Sequence, residues 1–589
     1  DDPFGTPASA SAVTCAQADQ AIAFCEADHS EYTATLAAIT PSVRAFRFFE
    51  RFFGEVAGFP FRKELLSIVL LLGGMVVTAR RAHIALRKPR GRFESRVTQG
   101  AQLISHLLLA YSAFAIWQVQ SGLSVGTSNP ALPVIWLVGF ALVATVNAFY
   151  IANPDPSLEP GGSIGRAILS IPLYAFMTLG SGFYFLLIEG YPEGQSVYLY
   201  KFMQYPKIYL AVALYVWAGM MLARSEASPK FFNVLRPLQL TPALLGWLVV
   251  VLAAVPTAYS GASGIFVIAA GAIVFEELRR AGATKQQAVM FTAMSGSLGV
   301  VLRPCLVVVL IAALNKEVTT DQLFSKGLWV FALTAVVFLI AVLVMNKEPL
   351  RARRPSEALP EMLTASRKLI PYLAIGGGVL LGYYVLLDTA LNEQTAPQLL
   401  PVVLLSVLFY EFWAMRSEKD EGETLGGALR HATHESSEHI GALLFLMCAS
   451  VCLGGVVERA ELMALVPESF GSREATMGVL VVIMVLVGMT MDAMGAVILV
   501  SITVAQVAYR NAIDPVHFWM MVLVAFELGY LTPPVSLNHL LARQVIGAEA
   551  ELENDEHPTK WSRYEHIIIP MIVMGISLLL VAFVPLLWY

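Results

Sequence analysis

The chain carries one unusual apolar pattern twice, and the two copies lie 230 positions apart. In each copy, an apolar stretch interrupted by small or polar residues precedes a second apolar stretch that is broken at proline. Interrupted apolar segments at corresponding positions of two halves are the best sequence indication of a transport site within a membrane. The pattern therefore predicts a carrier built from an inverted repeat. The equivalent positions include Ser260 and Thr490, Gly299 and Gly529, and Pro304 and Pro534.

Composition supports a chain that lies largely in a lipid bilayer. Apolar residues make up 57% of the sequence and charged residues only 14%, with a mean hydropathy of +0.65. Soluble domains carry about a quarter charged residues, so the composition predicts an all-α polytopic membrane protein. A net charge of −5 gives no basic footprint for nucleic acid. The sequence contains no phosphate-binding loop of the Walker type and no catalytic triad, which argues against direct ATP coupling and against an enzyme.

Several apolar runs are long enough to cross a bilayer, which takes roughly 17–25 residues. They lie at 64–80, 101–119, 132–152, 167–188, 202–222, 286–314, 327–346, 369–388, 397–415, 439–456, 515–545 and 565–588. Two further runs, 242–278 and 474–509, are too long for one span and too short for two. Each is interrupted near its middle, at 259–264 and at 488–492, so each predicts a re-entrant helical hairpin.

The distribution of Lys and Arg predicts the orientation of these segments. Basic residues crowd positions 80–96, which predicts a cytoplasmic loop, whereas loop 120–131 is uncharged and is expected outside. Continuing along the chain places 347–368 inside and both termini in the periplasm. The first hairpin then enters from the cytoplasm and the second from the opposite side, as an inverted repeat requires.

The same reading divides the chain into five parts. They are an extramembrane segment at 1–63, a two-span region at 64–131, a first repeat at 132–346, a cytoplasmic linker at 347–366 and a second repeat at 367–589. Within the first part, 42–57 predicts either an interfacial amphipathic helix or a helix packed on the spans. Cys15 and Cys25 are able to form a disulfide if this part lies outside the cytoplasm.

The second copy of the pattern resembles a signature of the large permease subunit of TRAP transporters, the tripartite ATP-independent periplasmic carriers. The resemblance is carried by Asn511–Phe518 (NAIDPVHF) and Glu527–Val535 (ELGYLTPPV), and it extends over about residues 235–589. The first copy departs from the family, because the usual Ile-Pro-Pro-Ser stands here as Leu302-Arg303-Pro304-Cys305. Ser536 also replaces a usual glycine.

The resemblance implies an elevator-type, sodium-driven carrier of the bacterial inner membrane that takes up organic anions. It further implies a periplasmic substrate-binding protein as partner. The region before residue 235 is expected to hold a reduced, fused version of the family's small membrane subunit and the start of the large one, although a separate small subunit is the other possibility. The altered first break puts the cation chemistry of that half in question.

Candidate cation ligands lie at the two breaks and at the hairpin tips. Proline frees carbonyl groups of the preceding turn, and carbonyl, hydroxyl and carboxylate oxygens suit hard cations such as Na⁺. The alternative is that these small residues let helices approach closely. The candidate Na⁺ ligands are Ser297, Gly299, Thr490, Gly529, Thr532 and Pro533.

Substrate is expected between the two hairpin tips. The candidate substrate-binding residues are Ser260, Gly261, Ser263, Arg303, Asp492 and Asn538. Charge inside a membrane helix costs about 2.5–3.5 kcal/mol, so Asp492, Glu527 and Arg303 each need a partner or an aqueous cavity. Arg303 has two possible partners at this point: a carboxylate of the substrate, or Glu527 or Asp492 in an internal ion pair.

Two other interpretations stay open at this point. The degenerate first signature allows a transporter-derived membrane interaction subunit that no longer transports. The histidines between His431 and His439 are compatible with a metal site, but a solvated helix start is the favoured explanation.

Overall fold

The computed structural model describes residues 62–80, 84–122, 131–261, 263–345, 353–392, 395–414, 424–461, 471–533, 535–547 and 560–589, with scattered helical residues within 22–33. Positions 42–57 and Cys15 lie outside these ranges, so the expectations for them stay predictions. The chain divides into two compact units, Asp1–Leu65 and Leu66–Tyr589. The description below concerns the second unit.

The first half of this unit is a succession of helices. They are α1 (Arg62–Arg80), α2 (Arg92–Gly122), α3 (Leu132–Ala152), α4 (Ile164–Leu169), α5 (Leu173–Phe183), α6 (Gly194–Met203), α7 (Pro206–Ala223), α8 (Ala227–Leu235), α9 (Pro242–Ser260), α10 (Ser263–Arg280), α11 (Lys285–Met294), α12 (Leu306–Leu314) and α13 (Thr320–Met345). A π-helical turn, Tyr184–Ile188, extends α5, and a 3₁₀ turn, Gly299–Val301, lies between α11 and α12.

The second half continues the all-helical pattern, and the described residues contain no strand. Its helices are α14 (Pro355–Arg367), α15 (Ile370–Leu387), α16 (Ala396–Ala414), α17 (Leu425–Arg459), α18 (Arg473–Thr490), α19 (Ala493–Ile502), α20 (Val504–Arg510), α21 (Pro515–Leu531), α22 (Leu537–Ile546) and α23 (Lys560–Phe583).

Among the described residues, ten helices are long and apolar enough to cross a membrane, or twelve if two bent helix pairs each count as one span. Outward-facing apolar side chains accompany this length: on α15, Leu373, Val385 and Leu386 are each at least two-thirds exposed. Such surfaces are stable against lipid. The predicted all-α polytopic architecture is confirmed.

One predicted span is divided. The run at 167–188 contains the end of α4, a break at Ser170–Pro172 and the whole of α5. Pro172 lacks an amide donor and disfavours helical backbone in the residue before it, so a helix ends here and a new one begins. Hydropathy alone does not detect such a break.

Helix bounds repeat with the spacing found in the sequence. Helices α9 and α18 end at Ser260 and Thr490, and helices α11 and α21 begin 230 positions apart, at Lys285 and Pro515. The residues before those two starts are N-caps of the same kind. The Thr284 hydroxyl accepts from the Gln287 amide at 3.2 Å, and the Asp514 carboxylate accepts from the His517 amide at 2.9 Å.

The two copies exchange contacts reciprocally. Helix α10 packs against α22, and the equivalent helix of the second copy, α19, packs against α12. Single residues follow the same rule. A Cβ on Gly271 would lie 3.1 Å from Val545, and at the equivalent positions the Asn315 amide donates to the Ser501 hydroxyl at 3.0 Å. Reciprocal pairs of this kind are what a two-fold relation between halves produces.

The helices before residue 166 are held together by a buried polar chain. The ring Nδ1 of His106 on α2 lies 2.7 Å from the Asn147 amide oxygen on α3, and the Asn147 amide nitrogen donates to Gln99 at 2.8 Å. Gln99 donates in turn to the carbonyl of Ala79 on α1. Hydrogen bonds between helices stabilise such bundles, because polar groups in an apolar surrounding otherwise lack partners.

Candidate functional site

Helices α9 and α10, joined at Gly261, occupy the first predicted hairpin, and α18 to α20 occupy the second; we call these two segments hairpin 1 and hairpin 2. Gly261 has a φ of +74°, and a Cβ there would lie 2.7 Å from the backbone nitrogen of Leu306, so glycine meets both requirements. Its carbonyl accepts from the Cys305 thiol at 3.6 Å. The tip of hairpin 1 therefore rests on the start of α12, directly after the first break.

Just beyond this tip, four side chains from four segments form a buried polar cluster. The Ser263 hydroxyl at the start of α10 lies 3.2 Å from the Asn538 amide nitrogen on α22. The same amide nitrogen lies 3.5 Å from the Ser297 hydroxyl, which follows α11. Glu527 on α21 is close enough to both serines for their hydroxyls to interact with its carboxylate electrostatically. We call Ser263, Ser297, Glu527 and Asn538 the polar cluster.

Glycine allows these segments to meet. A Cβ on Gly296 would lie 2.2 Å from the Ser263 carbonyl oxygen, which no side chain tolerates. A Cβ on Gly264 would approach Leu541 on α22 at 2.7 Å. The glycines beside both serines thus permit backbone contacts that bring the serine hydroxyls to Glu527 and Asn538.

Glu527 is the only ionisable member of the polar cluster. Its side chain is 2% exposed, and its Oε2 atom has no hydrogen-bond partner within the described part of the chain. Ser297 and Glu527 line a cavity of about 10 Å³, which is too small for an organic anion. A water molecule is about the largest occupant such a space admits.

The second hairpin, formed by α18 with α19 and α20, has a different tip. Asp492 is the N-cap of α19 and accepts from the Met494 amide at 2.9 Å, while its own amide donates to Ser450 on α17 at 3.0 Å. Gly495 packs against the same serine, where a Cβ would lie 2.7 Å from Ser450. Hairpin 2 therefore contacts α17 through the Asp492 amide and through Gly495.

The two tips are linked through α21. The buried hydroxyl of Tyr530 lies within electrostatic range of both Asp492 and Glu527, and no partner for it occurs among the described residues. No Lys, Arg or His is among the groups that influence either carboxylate. The described structure thus contains two buried carboxylates, Asp492 in hairpin 2 and Glu527 on α21, that lack a basic counterpart.

Residues 166–587 match the family described as Tripartite ATP-independent periplasmic transporter, DctM component. The chain belongs to this family. The match begins at residue 166, whereas the resemblance carried by the signature residues began only at about residue 235. Helices α5 to α8 are therefore part of the DctM component. Family and apolar helices together make this DctM-family chain a multi-pass membrane transport component of the bacterial inner membrane.

Curated relatives cover most of the same region. The C4-dicarboxylate TRAP transporter large permease protein DctM of Vibrio cholerae serotype O1 is 23% identical over 400 residues, which are 64% of this chain and 86% of the relative. Its counterpart from Rhodobacter capsulatus is 24% identical over 323 residues, which are 51% of this chain and 69% of the relative. The isethionate TRAP transporter permease protein DctMQ of Oleidesulfovibrio alaskensis is 26% identical over 105 residues, which are only 18% of this chain and 15% of the relative.

Within the DctM-family chain, the structure brings some of the predicted site residues together and separates others. Ser263, Ser297 and Asn538 join the polar cluster, and Asp492 caps hairpin 2. Gly299 and Gly529 occupy equivalent close contacts with the first arm of their own hairpin, Gly299 against Ala254 and Gly529 against Gly488. The side chain of Ser260 lies outside the described residues.

The predicted threonine ligands bond to their own helices. The Thr490 hydroxyl donates to the Leu486 and Val487 carbonyls at 3.1 Å and is exposed. The Thr532 hydroxyl donates to the Leu528 carbonyl at 2.6 Å, and Pro533 is exposed. These bonds use the hydroxyl protons and leave the lone pairs of both oxygen atoms free.

For Arg303, the internal ion pair with Glu527 or Asp492 is wrong. Its guanidinium pairs with Asp321 at the start of α13 and lies 5.1 Å over the Phe324 ring. Both partners of the ion pair are more than half exposed. Beside the exposed Asp321 the guanidinium stays hydrated, whereas a pair with the buried Glu527 would require its desolvation.

Other expectations have plain outcomes. Within the described ranges no cluster of His, Cys, Asp or Glu is able to hold a metal ion. Cys448 and Cys452 are buried in α17, and the Cys452 thiol donates to the Gln195 carbonyl. Ser450, which contacts Asp492, carried no sequence signal, whereas Glu527 and Tyr530 belong to the quoted signature and Glu527 also carries a charge.

Proposed function

We propose that the chain is the membrane subunit of a secondary carrier that takes up an organic anion by coupling it to a cation, with Na⁺ as the coupling ion. The observation that carries this proposal is the presence of two buried carboxylates, Asp492 at the tip of hairpin 2 and Glu527 in the polar cluster beyond the tip of hairpin 1. A buried carboxylate without a counter-charge is unstable by several kcal/mol, so it needs a proton or a cation to neutralise it.

The residues of the polar cluster fit a hard monovalent cation. All the candidate ligand atoms for the cation are oxygens. They belong to the Glu527 carboxylate, the Ser263 and Ser297 hydroxyls and the Asn538 amide group. Hard cations prefer such ligands, and the free Oε2 of Glu527 is available for one. When bound, Na⁺ supplies the positive charge that neutralises Glu527. Ser263 and Asn538 then hold hairpin 1 against α22, and Glu527 holds α21 against the first break.

The substrate class follows from the relatives. Their names refer to C4-dicarboxylates and to isethionate, all of them small organic anions. We infer a carboxylate-bearing anion that binds between the tips at Gly261–Ser263 and Asp492. Delivery by a periplasmic binding protein accords with the family. Residues before 166, which precede the match, are placed where a fused small subunit is expected, and the fused DctMQ relative supports this.

An elevator movement accords with the packing. The reciprocal contacts of α10 with α22 and of α19 with α12 join both hairpins and both broken helices into one body. Such a body is able to move as a unit with its cation and anion. The helices α15 and α16, which pack against each other, belong to the surrounding frame in this proposal.

The test is uptake into proteoliposomes that contain the full chain and its cognate periplasmic binding protein. A radiolabelled C4-dicarboxylate is supplied under an inward Na⁺ gradient, with K⁺ and choline gradients as controls. Accumulation only with Na⁺ is expected, and Glu527→Gln should abolish the Na⁺ dependence. Glu317→Gln, at an exposed position, is the matched control.

A second readout does not depend on transport. Na⁺ should raise the melting temperature of the detergent-solubilised protein, and this rise should disappear in Glu527→Gln but persist in Glu317→Gln. Uptake that is indifferent to every cation gradient would refute cation coupling. Uptake driven by a pH gradient alone would retain the carrier and replace Na⁺ by a proton on Glu527.

A further inference from the structure

A large cavity lies on the side of the bundle that is predicted to be cytoplasmic. Its volume is about 940 Å³, which is ample for a hydrated organic anion, and we call it the vestibule. One wall is formed by the second arm of hairpin 1, including Ile268 and Glu276, and another by α17 and α22. A third wall comes from residues that precede the DctM match, among them Lys88, Ser95 and Thr98.

The inner end of the vestibule approaches the polar cluster along two helices at once. Ile268 lines the vestibule and follows Ser263 by five residues on α10. Val545 also lines it and follows Asn538 by seven residues on α22. At about 1.5 Å of rise per residue, these separations are roughly 8 and 10 Å. The vestibule therefore leads from one face of the membrane almost to the candidate cation site.

Of the Lys and Arg residues that line the vestibule, Arg280 and Arg224 are each paired with an acidic residue. Arg280 pairs with Glu277 at 2.7 Å, and Arg224 pairs with Glu435 at 2.5 Å. Lys88 differs, because it is exposed and has no ion pair in the described structure. Its loop is fixed in place, since the neighbouring Arg87 amide donates to the Leu169 carbonyl at 3.0 Å.

We propose that the helices before residue 166 form a wall of the substrate pathway, and that Lys88 on this wall is the basic residue that the organic anion meets in the vestibule. This inference rests on the proposed carrier function. An unpaired ammonium group at the edge of a low-dielectric cavity raises the local concentration of anions. The N-terminal region thereby influences the passage of the anion in addition to packing against the DctM component.

The first test is accessibility. In a background with Cys15→Ser and Cys25→Ser, Ser95→Cys should react with a membrane-impermeant maleimide applied from the cytoplasmic face of inside-out vesicles. Ser157→Cys is the exposed positive control and Ser105→Cys, which is completely buried, is the negative control. Reactivity of Ser157→Cys without any reaction at Ser95→Cys would overturn the proposed wall.

The second test is the effect of charge. Substrate counterflow is measured with a C4-dicarboxylate presented at the cytoplasmic face. Lys88→Glu should raise the apparent KM about tenfold and Lys88→Gln about threefold, with little change in maximal rate, whereas Lys88→Arg should restore the original KM. The differences in KM among the variants should shrink at high ionic strength, because the screening length falls below its value of about 10 Å at 0.1 M salt. An equal KM in all four proteins would refute the role of Lys88.

The two proposals fail in distinguishable ways. Na⁺-driven uptake with unaltered KM in the Lys88 variants would refute only the role of the N-terminal wall. Labelling of Ser95→Cys in a protein that takes up no anion under any cation gradient would refute the carrier function and leave the open vestibule established.

Discussion

Gly74 and Gly441 bring helices α1 and α17 into direct backbone contact. A Cβ on Gly74 would lie 2.0 Å from the Gly441 Cα, and a Cβ on Gly441 would lie 2.1 Å from the Gly74 Cα. Contacts of this kind allow membrane helices to gain van der Waals energy along their backbones. Since α17 lies within the DctM match and α1 precedes it, this pair of glycines attaches the N-terminal region to the DctM component.

Gly74→Val should therefore destabilise the protein by about 1–3 kcal/mol, because the added side chain forces the two helices apart. The measurement is the thermal melting temperature of the solubilised protein. Gly73→Val is the matched control, since a Cβ at this neighbouring position meets nothing within 4 Å. Equal melting temperatures for the two variants would contradict the close contact.

Ser297→Ala should raise the Na⁺ concentration that gives half-maximal uptake by about tenfold, because the loss of a polar partner from a buried site costs about 1–3 kcal/mol. Thr490→Ala serves as the control. Its side chain is exposed and lies outside the polar cluster, so the Na⁺ dependence of uptake should be unchanged. The reverse ranking would place the cation at the tip of hairpin 2.

Arg303→Gln should leave the apparent KM for the organic anion unchanged, because this guanidinium pairs with Asp321 at the surface. Exposed ion pairs contribute roughly 0–1 kcal/mol to stability, so the melting temperature should change little as well. Uptake at several substrate concentrations checks this, with Asp321→Asn as the partner control. A large increase in KM for Arg303→Gln alone would restore this residue to the substrate site.

Gly261→Ala should destabilise the tip of hairpin 1 through both conformation and contact. The left-handed backbone costs an L-residue about 1–2 kcal/mol, and the new Cβ also overlaps Leu306. Gly282→Ala isolates the first effect, because Gly282 has a φ of +95° but its nearest neighbour would be 3.9 Å away. The melting temperature of the solubilised protein should therefore be lower for Gly261→Ala than for Gly282→Ala.

The regular parts of this protein could be predicted from the sequence because they depend on local pattern. Helices α9 and α18 end inside the interruptions at 259–264 and 488–492, where small and polar residues follow long apolar runs. These two interruptions are informative because a helix that ends within a membrane leaves backbone groups that need hydrogen-bond partners.

The polar cluster could be predicted only in part. Ser263, Ser297 and Asn538 were candidates because each lies close to a tip or break, yet their common neighbour Glu527 is 264 positions from Ser263. Their meeting depends on the packing of four helices and on the absence of a Cβ at Gly296. Arg303 illustrates the opposite case. Its position beside the break was evident, but its outward direction depends on local backbone geometry.

The exchanged contacts between the halves have a consequence for how the chain folds. Helix α10 finds its neighbour α22 only after some 250 further residues have been synthesised, and α12 must likewise await α19. Neither half completes an interior by itself. A polypeptide severed between Met345 and Arg353 should thus accumulate only when both fragments are expressed together, like an obligate heterodimer descended from a duplicated gene.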